Sequence, residues 1–391
     1  MVAARVDSDV QALMSTLSSE ELALARDYTT GNHWLILGGL AVSALVTLII
    51  VRSGVLDGLG ARLEKRGWAL RTFLIAAVFL VISTLITLPY SIYTDWWRET
   101  AYGRTSQPLG DFLAQGAIAL VISTLLGGIF LLGVYWLIRK TGRWWWAWSG
   151  ALVAATVAFL LLLSPVIIEP LFNSYEPIPE GEVRDAVLAL ASEAGVPEDR
   201  VFMYDGSRQS NNFTANVSGV GSSARIAISD VAMGEASLDE VIAVTGHEIG
   251  HYMLGHVWRS VTIISLLAVA VFWLTSRLYP WFARTFGSSA ELSDPRGLPV
   301  LAFVIGLFFT LAQPITNTMI RVGEREADAY SLAHAQLPDA LSEALIKTAE
   351  YRYPLAGPVE EAIFYTHPSV ANRVRAAMEW KWQNQGEPLP E

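Results

Sequence analysis

The sequence predicts a mainly α-helical protein that crosses a membrane about six times and also carries a small α+β domain with a β-hairpin. Hydrophobic residues make up 52% of the 391 positions and charged residues only 16%, whereas soluble domains carry about a quarter charged residues. Uncharged apolar runs long enough to cross a bilayer recur along the chain. One stretch between them, residues 169–257, has the composition of a soluble domain.

The N-terminal membrane domain is expected over residues 33–170, after a polar and partly helical lead-in over residues 1–32. The lead-in lacks the basic start and apolar core of a cleavable signal peptide, so the first span must start membrane insertion itself. Each of the four spans is an apolar run bounded by charged or turn-forming residues, and they are predicted at 34–51, 72–93, 116–138 and 144–168. The second span is expected to stop near Pro89 and to lead into a polar loop over residues 95–111.

The second domain is predicted over residues 171–391 and begins with elements typical of a soluble α+β fold. These elements are bounded by turn or stop signals, and they are a helix at 182–194, a strand at 201–204, and a hairpin of strands 214–220 and 225–229 with its connection at 221–224. Ser237 and Glu240 then form a capping box, which starts the next helix.

Two further spans are predicted inside the second domain, at about 260–276 and 298–316. The helix that Ser237 starts has no clear stop before the first of them, so it is expected to continue into the membrane. The other span, interrupted by Pro314, is expected to run on into the charged segment 321–328. Because the two spans are antiparallel, their charged ends should meet on one side of the membrane.

The run His247-Glu248-Ile249-Gly250-His251 has the metal-binding spacing H-E-x-x-H. Residues at i and i+4 of a helix share one face, so His247 and His251 can offer two imidazole nitrogens to one ion. Glu248 lies about 100° round the helix from His247, within reach of a water molecule on that ion. The chain has no cysteine, so a zinc site must be built from His, Asp or Glu. His256 lies off the face that carries His251 and is predicted to serve in packing.

Two histidines leave a zinc ion in need of a third protein ligand, with its fourth position open for water. Glu324, at the end of the sixth span, is the candidate, and Glu326 is the alternative. Arg321 and Asp328 fall on the same helix face as Glu324. Asp328 is therefore predicted to hydrogen-bond a ligand histidine from behind and to fix its tautomer.

Four groups of motifs follow one another along the chain. The first is Leu88-Pro89-Tyr90-Ser91-Ile92-Tyr93 with Glu99, Tyr102-Gly103 and Gln107, and the second is Glu169-Pro170-Leu171-Phe172 with Pro179-Glu180-Gly181. The third joins the H-E-x-x-H run and Leu254-Gly255-His256 to Glu324, Ala327, Asp328 and Ala329, and the fourth is His367-Pro368 with Arg373. In this order they resemble the motifs of the type I CAAX prenyl proteases, which are integral-membrane gluzincins, and of their bacterial relatives. The likeness extends from about Ser19 to Met378. That family usually has seven spans, and the six predicted here lack the extreme N-terminal one.

The resemblance implies a zincin-type catalytic domain that holds one Zn²⁺ ion per chain. His247, His251 and Glu324 would be the ligands, and Glu248 would be the general base and then the general acid of peptide hydrolysis. The resemblance also implies that His367 donates a hydrogen bond to the oxyanion, with Arg373 nearby.

The family's substrate-binding strand aligns with the predicted hairpin. Its Asn-Ala pair falls at Thr214-Ala215, with Asn216 one residue later. Either Thr214 or Asn216 is therefore expected to bind the substrate backbone, which would add to the sheet as an extra strand.

The function that the resemblance implies is that of an integral-membrane zinc endopeptidase whose six helices surround a chamber. Its partners would be the lipid bilayer and peptide or protein substrates, including lipidated or membrane-associated ones. The net charge of −10, without a basic stripe, argues against nucleic acid as a partner. The alternatives are a quality-control protease without prenyl specificity and a non-catalytic membrane scaffold that has kept the fold.

Two arguments about membrane orientation disagree. The short connections opposite the predicted zinc site carry many basic residues, and these are Arg52, Arg62, Lys65, Arg66, Arg71, Arg139, Lys140, Arg143, Arg277, Arg284 and Arg296. The positive-inside rule places such connections in the cytoplasm and the zinc site outside it. The resemblance places the zinc site in the cytoplasm, and the expectation adopted is a bacterial inner-membrane protein in that orientation.

Overall fold

The computed structural model describes residues 2–219 and 223–384 of the chain. The N-terminal half is almost wholly helical, and its α-helices are α1 (Val2–Met14), α2 (Ser19–Ser53), α3 (Val55–Arg62), α4 (Trp68–Ser91), α5 (Arg98–Ala101), α6 (Leu109–Thr141) and α7 (Trp145–Leu163). Helices α2, α4, α6 and α7 contain apolar segments long enough to cross a bilayer.

The polar lead-in is more helical than its composition indicates, because α1 and the first turns of α2 occupy it. Ser18 is the N-cap of α2: its hydroxyl accepts a hydrogen bond from the backbone N–H of Glu21. The carboxylate of Glu21 in turn accepts from the backbone N–H of Ser18 at 2.8 Å. The first membrane helix therefore begins at this capping box, well before its apolar segment.

The second membrane helix does not stop at Pro89. This residue lies inside α4, and the helix then widens into a π-helical turn at Ile92–Trp97 before α5 completes it. A π-turn accommodates the change in backbone hydrogen bonding that a residue without an N–H imposes on a helix. The prediction of a polar loop over residues 95–111 is therefore wrong for residues 95–101, which are helical.

The 63-residue helical segment Leu109–Leu171 contains two membrane passes. Helices α6 and α7 pack against each other, so the chain reverses direction between them. The reversal occurs at Gly142, whose φ of 53° lies in a region that glycine adopts without strain. With α2 and α4, these helices make the four spans expected in the N-terminal half.

A four-stranded sheet and three helices follow. They are β1 (Tyr175–Pro177), α8 (Glu182–Glu193), β2 (Val201–Tyr204), β3 (Ala215–Ser218), β4 (Arg225–Ser229), α9 (Asp230–Glu235) and α10 (Leu238–Met253). The strand order is β1-β2-β4-β3, in which β2 and β4 are parallel and the other two pairs are antiparallel. The expected hairpin is formed by β3 and β4, and residues 220–222 of its connection lie outside the described residues. The short strand β1 was not expected, because three residues do not show an alternating pattern.

One apolar core joins this sheet to α8 and α10. Ile226 and Ile228 of β4 pack with Val187 of α8 and with Val241 and Ile249 of α10. Strand β3 is at the end of the sheet order and contacts α10. The sheet therefore presents an edge strand beside the helix that carries the H-E-x-x-H run.

Helix α10 and the next membrane helix, α11 (His256–Phe286), are separate. Gly255 between them has a φ of 65°, in the left-handed region where glycine commonly ends a helix. The expectation of one continuous helix from Ser237 into the membrane is therefore wrong.

The last span is bent. Helices α12 (Leu298–Leu311) and α13 (Gln313–His334) meet at Ala312 with an angle of 51° between them. Pro314 lies in the first turn of α13, where a missing N–H costs no intrahelical hydrogen bond. Helix α13 then runs unbroken through residues 321–328, as the sequence predicts.

Among the described residues, six membrane helices form a closed ring in which each contacts the next, in the order α2, α4, α6, α7, α11, α12 and back to α2. Large apolar side chains remain exposed on this ring, among them Ile129 at 60% and Leu266 at 65% exposure. Such side chains suit contact with lipid, and the fully helical backbone satisfies its own hydrogen bonds.

Three short helices end the described part of the chain, and they are α14 (Pro338–Lys347), α15 (Pro358–Phe364) and α16 (Val370–Asn384). Helix α1 packs on α14 and α16 through Val6 and Val10, so the first and last described helices lie together.

Candidate metal centre

Helices α10 and α13 approach each other closely because α10 has glycine at two points of contact. A Cβ atom on Gly250 would lie 2.9 Å from Cβ of Tyr330 and 3.1 Å from Cα of Ala327. A Cβ on Gly246 would lie 3.1 Å from the hydroxyl of Ser331. Glycine at these positions, four residues apart on one helix face, lets α13 pack against the backbone of α10. The two faces that carry charged and imidazole side chains are thereby brought together.

The structure brings His247, His251 and Glu324 to one point. The Nε2 atoms of the two histidines are 3.1 Å apart. Oε2 of Glu324 is 3.4 Å from Nε2 of His247, and Oε1 is 3.4 Å from Nε2 of His251. The donor atoms of the group all lie within 4.8 Å of one another.

These three donors fit a metal ion. Oε2 of Glu324 is buried and has no hydrogen-bond partner within residues 2–219 and 223–384, although Nε2 of His367 lies 3.2 Å away. Burial disfavours a charge on His247, but hydrogen bonds to Asp328 and Glu324 outweigh it and raise its pKa to about 10. The two carboxylates therefore favour a positive charge on or beside this imidazole, and a cation bound at Nε2 would supply one. Two imidazoles and one carboxylate are a donor set typical of catalytic zinc.

Glu248 lies beside this group. It lines the same cavity as His247 and Glu324. Burial raises the pKa of the Glu248 carboxyl above its usual range. A carboxyl group with a raised pKa next to a metal site is suited to exchanging protons near neutral pH.

Asp328 lies behind His247, on the Nδ1 side of the imidazole. Arg373 lies beside Asp328, with its Nη2 also 3.7 Å from Oε2 of Glu324. Oδ1 of Asp328 is 2.9 Å from Nδ1 of His247. Arg373 donates to both carboxylate oxygens of Asp328, from Nη2 at 2.6 Å and from Nε at 2.8 Å. The arrangement predicted for Asp328 is the one found, and the carboxylate can hold His247 with Nδ1 protonated and Nε2 free to bind an ion.

His251 has a corresponding arrangement that the sequence did not reveal. Its Nδ1 is 2.8 Å from Nδ1 of His256, and Nε2 of His256 is 2.9 Å from Oε2 of Glu326. Arg259 donates to the same oxygen of Glu326 at 2.7 Å. The packing role predicted for His256 is therefore incomplete, because His256 also contacts a donor residue. Glu326, the alternative ligand, contacts His256 and is separated by it from the donor residue His251.

Arg321 is placed differently from its neighbours on the helix face. Its guanidinium donates to the backbone oxygens of Glu361 at 2.8 Å and of Tyr365, at the end of α15. It therefore holds the chain that leads to His367, rather than supporting a ligand histidine directly.

His367 projects into the cavity from that chain. Its Nδ1 is 2.9 Å from the hydroxyl of Thr366. Burial lowers the pKa of His367 to about 3, so the imidazole is neutral at pH 7. If the Thr366 hydroxyl donates to Nδ1, the proton of the neutral ring is on Nε2, where it can be donated to a ligand.

The cavity beside the donor group has a volume of about 170 Å³, and edge strand β3 forms one of its walls. Thr214 lies at this wall with its hydroxyl 2.7 Å from that of Tyr204, and its backbone oxygen accepts from the N–H of Ser229 at 2.9 Å. Because successive residues of a strand face opposite edges, Asn216 also directs its backbone toward β4. The backbone groups at the outer edge are therefore those of Ala215 and Val217.

Asn216 itself is not explained by the geometry of the site. Its Oδ1 is buried and has no hydrogen-bond partner in the described part of the chain.

Two family profiles match the chain, one in each half. A family profile described as peptidase family M48 matches residues 177–381. A second, described as CAAX prenyl protease N-terminal with five membrane helices, matches residues 4–174.

Individual proteins are similar over most of the chain. A Bacillus subtilis protein described as the uncharacterized metalloprotease YhfN is 28% identical over 375 residues, which cover 93% of this chain and 87% of that protein. CAAX prenyl protease 1 of Saccharomyces cerevisiae is 29% identical over 317 residues, which cover 75% of this chain and 69% of that protein. The crystal structure of S. mikatae Ste24p matches with a TM-score of 0.77 at 22% identity, over 95% of this chain and 94% of that one.

The structural likeness confirms the predicted fold, in which membrane helices surround a chamber. The profile matches assign the chemistry to the second half of the chain, where the donor group lies. Because the first profile spans more than half of the sequence, the chain belongs to peptidase family M48, and it is a multi-pass membrane metallopeptidase.

Proposed function

We propose that the protein is a zinc endopeptidase in which His247, His251 and Glu324 hold one Zn²⁺ ion. The observation that carries the proposal is the convergence of their donor atoms within 4.8 Å, beside a cavity that Glu248 lines. The donor set supports catalytic zinc because two imidazoles and one carboxylate leave a fourth coordination position for substrate or water. We divide the chain into a lead-in over 1–32, a membrane domain over 33–170 and a catalytic domain over 171–391.

Bound zinc would supply a Lewis acid that polarises the scissile carbonyl and the attacking water. Glu248 would take a proton from that water and deliver it to the leaving amine, for which its buried carboxyl is suited. His367 would donate its Nε2–H to the oxyanion that forms from the substrate carbonyl. Arg373 would act through Asp328, and Arg321 through the chain that carries His367.

The substrate would bind as an extended peptide along β3. The outward backbone groups of Ala215 and Val217 offer donors and acceptors of the kind that an added strand uses. The sequence analysis expected the same strand addition but assigned it to Thr214 or Asn216, whose backbone groups are directed toward β4. The hydroxyl of Thr214 is already bonded to Tyr204, which favours the backbone mode.

The ring of membrane helices limits which substrates reach the site. It would admit extended chains and exclude folded proteins, so we propose membrane or exported proteins, with or without a lipid group, as substrates. Saccharomyces CAAX prenyl protease 1 and the Bacillus protein are comparably similar, so similarity alone does not require a prenyl group.

We propose a location in the inner membrane of a bacterium, with the catalytic end in the cytoplasm as the family resemblance implies. The basic residues at the opposite end favour the reverse orientation. The chain has no cysteine, so a single cysteine at position 391 can be labelled without background. Labelling of intact cells by a membrane-impermeant maleimide would overturn the proposed orientation, and labelling only after lysis would support it.

The catalytic proposal is tested by zinc analysis and peptide cleavage with the purified full chain, as wild type and as Glu248→Ala. Both should retain about one zinc ion, and only the wild type should cleave peptides. Equal cleavage by the two proteins would end the catalytic proposal. Zinc retention without cleavage by the wild type would favour the non-catalytic scaffold.

A further inference from the structure

A second cavity lies at the end of the helix ring remote from the metal centre. Its volume is about 420 Å³, and it is bounded by the first turn of α4, the last turn of α6 and the loop between α11 and α12. Helix α11, with 31 residues, is about 46 Å long and leads from the metal centre to this end. A ligand in this cavity is therefore well separated from the catalytic residues.

Buried donors surround the cavity without partners. Nε1 of Trp68, Nε of Arg71 and Oγ1 of Thr72 are buried and make no hydrogen bond with the described residues. Thr72 is 0% exposed. The N-cap of α4 is Gly67, which has no side chain to accept from the first N–H groups of the helix. Buried polar groups are normally hydrogen-bonded, so this cluster in one helical turn indicates a ligand rich in acceptors.

Two of the cations at the cavity make no direct ion pair, although Arg71 also acts electrostatically on Asp294. Arg296 is paired with Asp294, with Nε and Oδ2 2.8 Å apart. Arg71 and Arg139 have no ion-pair partner among residues 2–219 and 223–384, and the guanidinium of Arg139 lies 4.7 Å from the ring centre of Trp68. Two unpaired guanidinium groups at one cavity are a site for an anion, and phosphate is the anion that arginine recognises well.

Glu291 gives the cavity a negative wall. It is exposed, lines the cavity and likewise has no ion-pair partner in the described part of the chain. A bare anion would be repelled from this side. A ligand with a phosphate and, beyond it, a hydrogen-bond donor would satisfy both walls.

The surroundings place the cavity at the level of lipid headgroups. The guanidinium of Arg143 lies 5.5 Å from the ring centre of Trp144, and that of Arg277 lies 5.9 Å from the ring centre of Trp273. Tryptophan is enriched at membrane–water interfaces, and long basic side chains extend there to reach the headgroups.

We propose that this cavity binds the headgroup of a membrane phospholipid. The phosphodiester would lie against Arg71 and Arg139 and accept from the unpaired donors of α4. The ammonium of a phosphatidylethanolamine, or a hydroxyl of a phosphatidylglycerol, would donate to Glu291. Basic pockets between membrane helices bind lipid headgroups by this combination of charge and hydrogen bonding.

The test uses the full chain in detergent, titrated with phosphatidylethanolamine, phosphatidylglycerol or phosphatidylcholine, with retained lipid counted by native mass spectrometry. One lipid of the first two kinds should be retained, and the double variant Arg71→Gln/Arg139→Gln should bind it about thirty-fold more weakly, because each basic residue near a headgroup contributes about 1 kcal/mol. The matched control, Arg62→Gln/Arg66→Gln, removes the same charge at the same end of the ring and should bind as wild type does.

Two further measurements distinguish a lipid phosphate from free phosphate, and weaker lipid binding from misfolding. Inorganic phosphate should not displace the lipid, and displacement at equal concentration would assign the cavity to a free anion and overturn the proposal. Arg139 is exposed, so the single variant Arg139→Gln should fold normally and still bind more weakly. Equal lipid retention by the double variant and its control would also overturn the proposal, as would retention of phosphatidylcholine as tight as that of the other two lipids.

Discussion

Removal of the Asp328 carboxylate should lower both stability and metal affinity, and a second substitution should separate the two effects. Asp328 is 2.9 Å from Nδ1 of His247 and accepts two hydrogen bonds from Arg373. The three side chains are almost fully buried, with residue exposures of 5%, 6% and 8%. Removing one partner of a buried ion pair costs about 3–5 kcal/mol, because the other charge remains buried. Asp328→Ala should lower the free energy of unfolding by about that amount and weaken metal binding by about 10–100-fold.

The double variant Asp328→Ala/Arg373→Met also removes the stranded charge. It should regain most of the unfolding free energy but not the metal affinity, because Nδ1 of His247 still lacks its acceptor. Denaturant titration followed by tryptophan fluorescence measures the first quantity, and competition with a chelator of known affinity measures the second. Wild-type metal affinity in the double variant would refute the positioning of His247 by Asp328.

An exposed ion pair provides the control. Lys381 donates to Asp339 at 2.6 Å, and the side chain of Asp339 is 59% exposed. Because solvent screens such a pair, Asp339→Ala should cost less than about 1 kcal/mol and leave metal affinity unchanged.

The remaining predictions concern other side chains at the centre. Glu248→Gln should retain the metal and lower kcat by about 10²–10⁴-fold. Metal analysis and peptide cleavage measure these two quantities, and loss of the metal would mean that Glu248 is needed to hold it. His256→Ala should weaken metal binding by about 10–100-fold, whereas His334→Ala, at an exposed position, should not. Equal metal affinities of these two variants in a chelator titration would contradict a supporting role for His256. Gly250→Ala places a Cβ 2.9 Å from a side chain of α13 and should lower the free energy of unfolding by about 1–3 kcal/mol together with metal affinity. Gly234→Ala, whose Cβ meets no described atom within 4 Å, should do neither, and indistinguishable behaviour of the two glycine variants would show that close helix approach is not required.

The parts of the site that follow from helical spacing could be predicted from the sequence. The i, i+4 histidines and the face shared by Glu324 and Asp328 depend only on residues within one helix. The pairing of the two helices follows from the antiparallel order of the spans. The capping box at Ser237 fixes the start of α10 in the same local manner.

The parts that depend on a break in a helix, or on strand register, could not be predicted. Gly255 is compatible with a helix interior, and only its left-handed conformation brings His256 to His251. A sequence also does not state which strand residues direct their backbone groups to the outer edge, so it could not distinguish Thr214 and Asn216 from Ala215 and Val217 as the residues that pair with an added strand.

The same limit applies to long side chains. Arg321 shares a helix face with Glu324, but its guanidinium reaches past that face to the carbonyl groups of α15. A shared face fixes where a side chain begins and not what its end contacts.

The most direct test of the metal centre is X-ray absorption at the zinc edge on the purified full chain. The proposed centre predicts about one zinc ion per chain with two imidazole nitrogens at about 2.0–2.1 Å and a carboxylate oxygen at about 2.0–2.2 Å. It also predicts that Glu324→Ala loses the ion or replaces the carboxylate with solvent. A chain that retains no zinc, or a zinc shell that is the same in wild type and Glu324→Ala, would contradict the assignment of His247, His251 and Glu324 as the ligands.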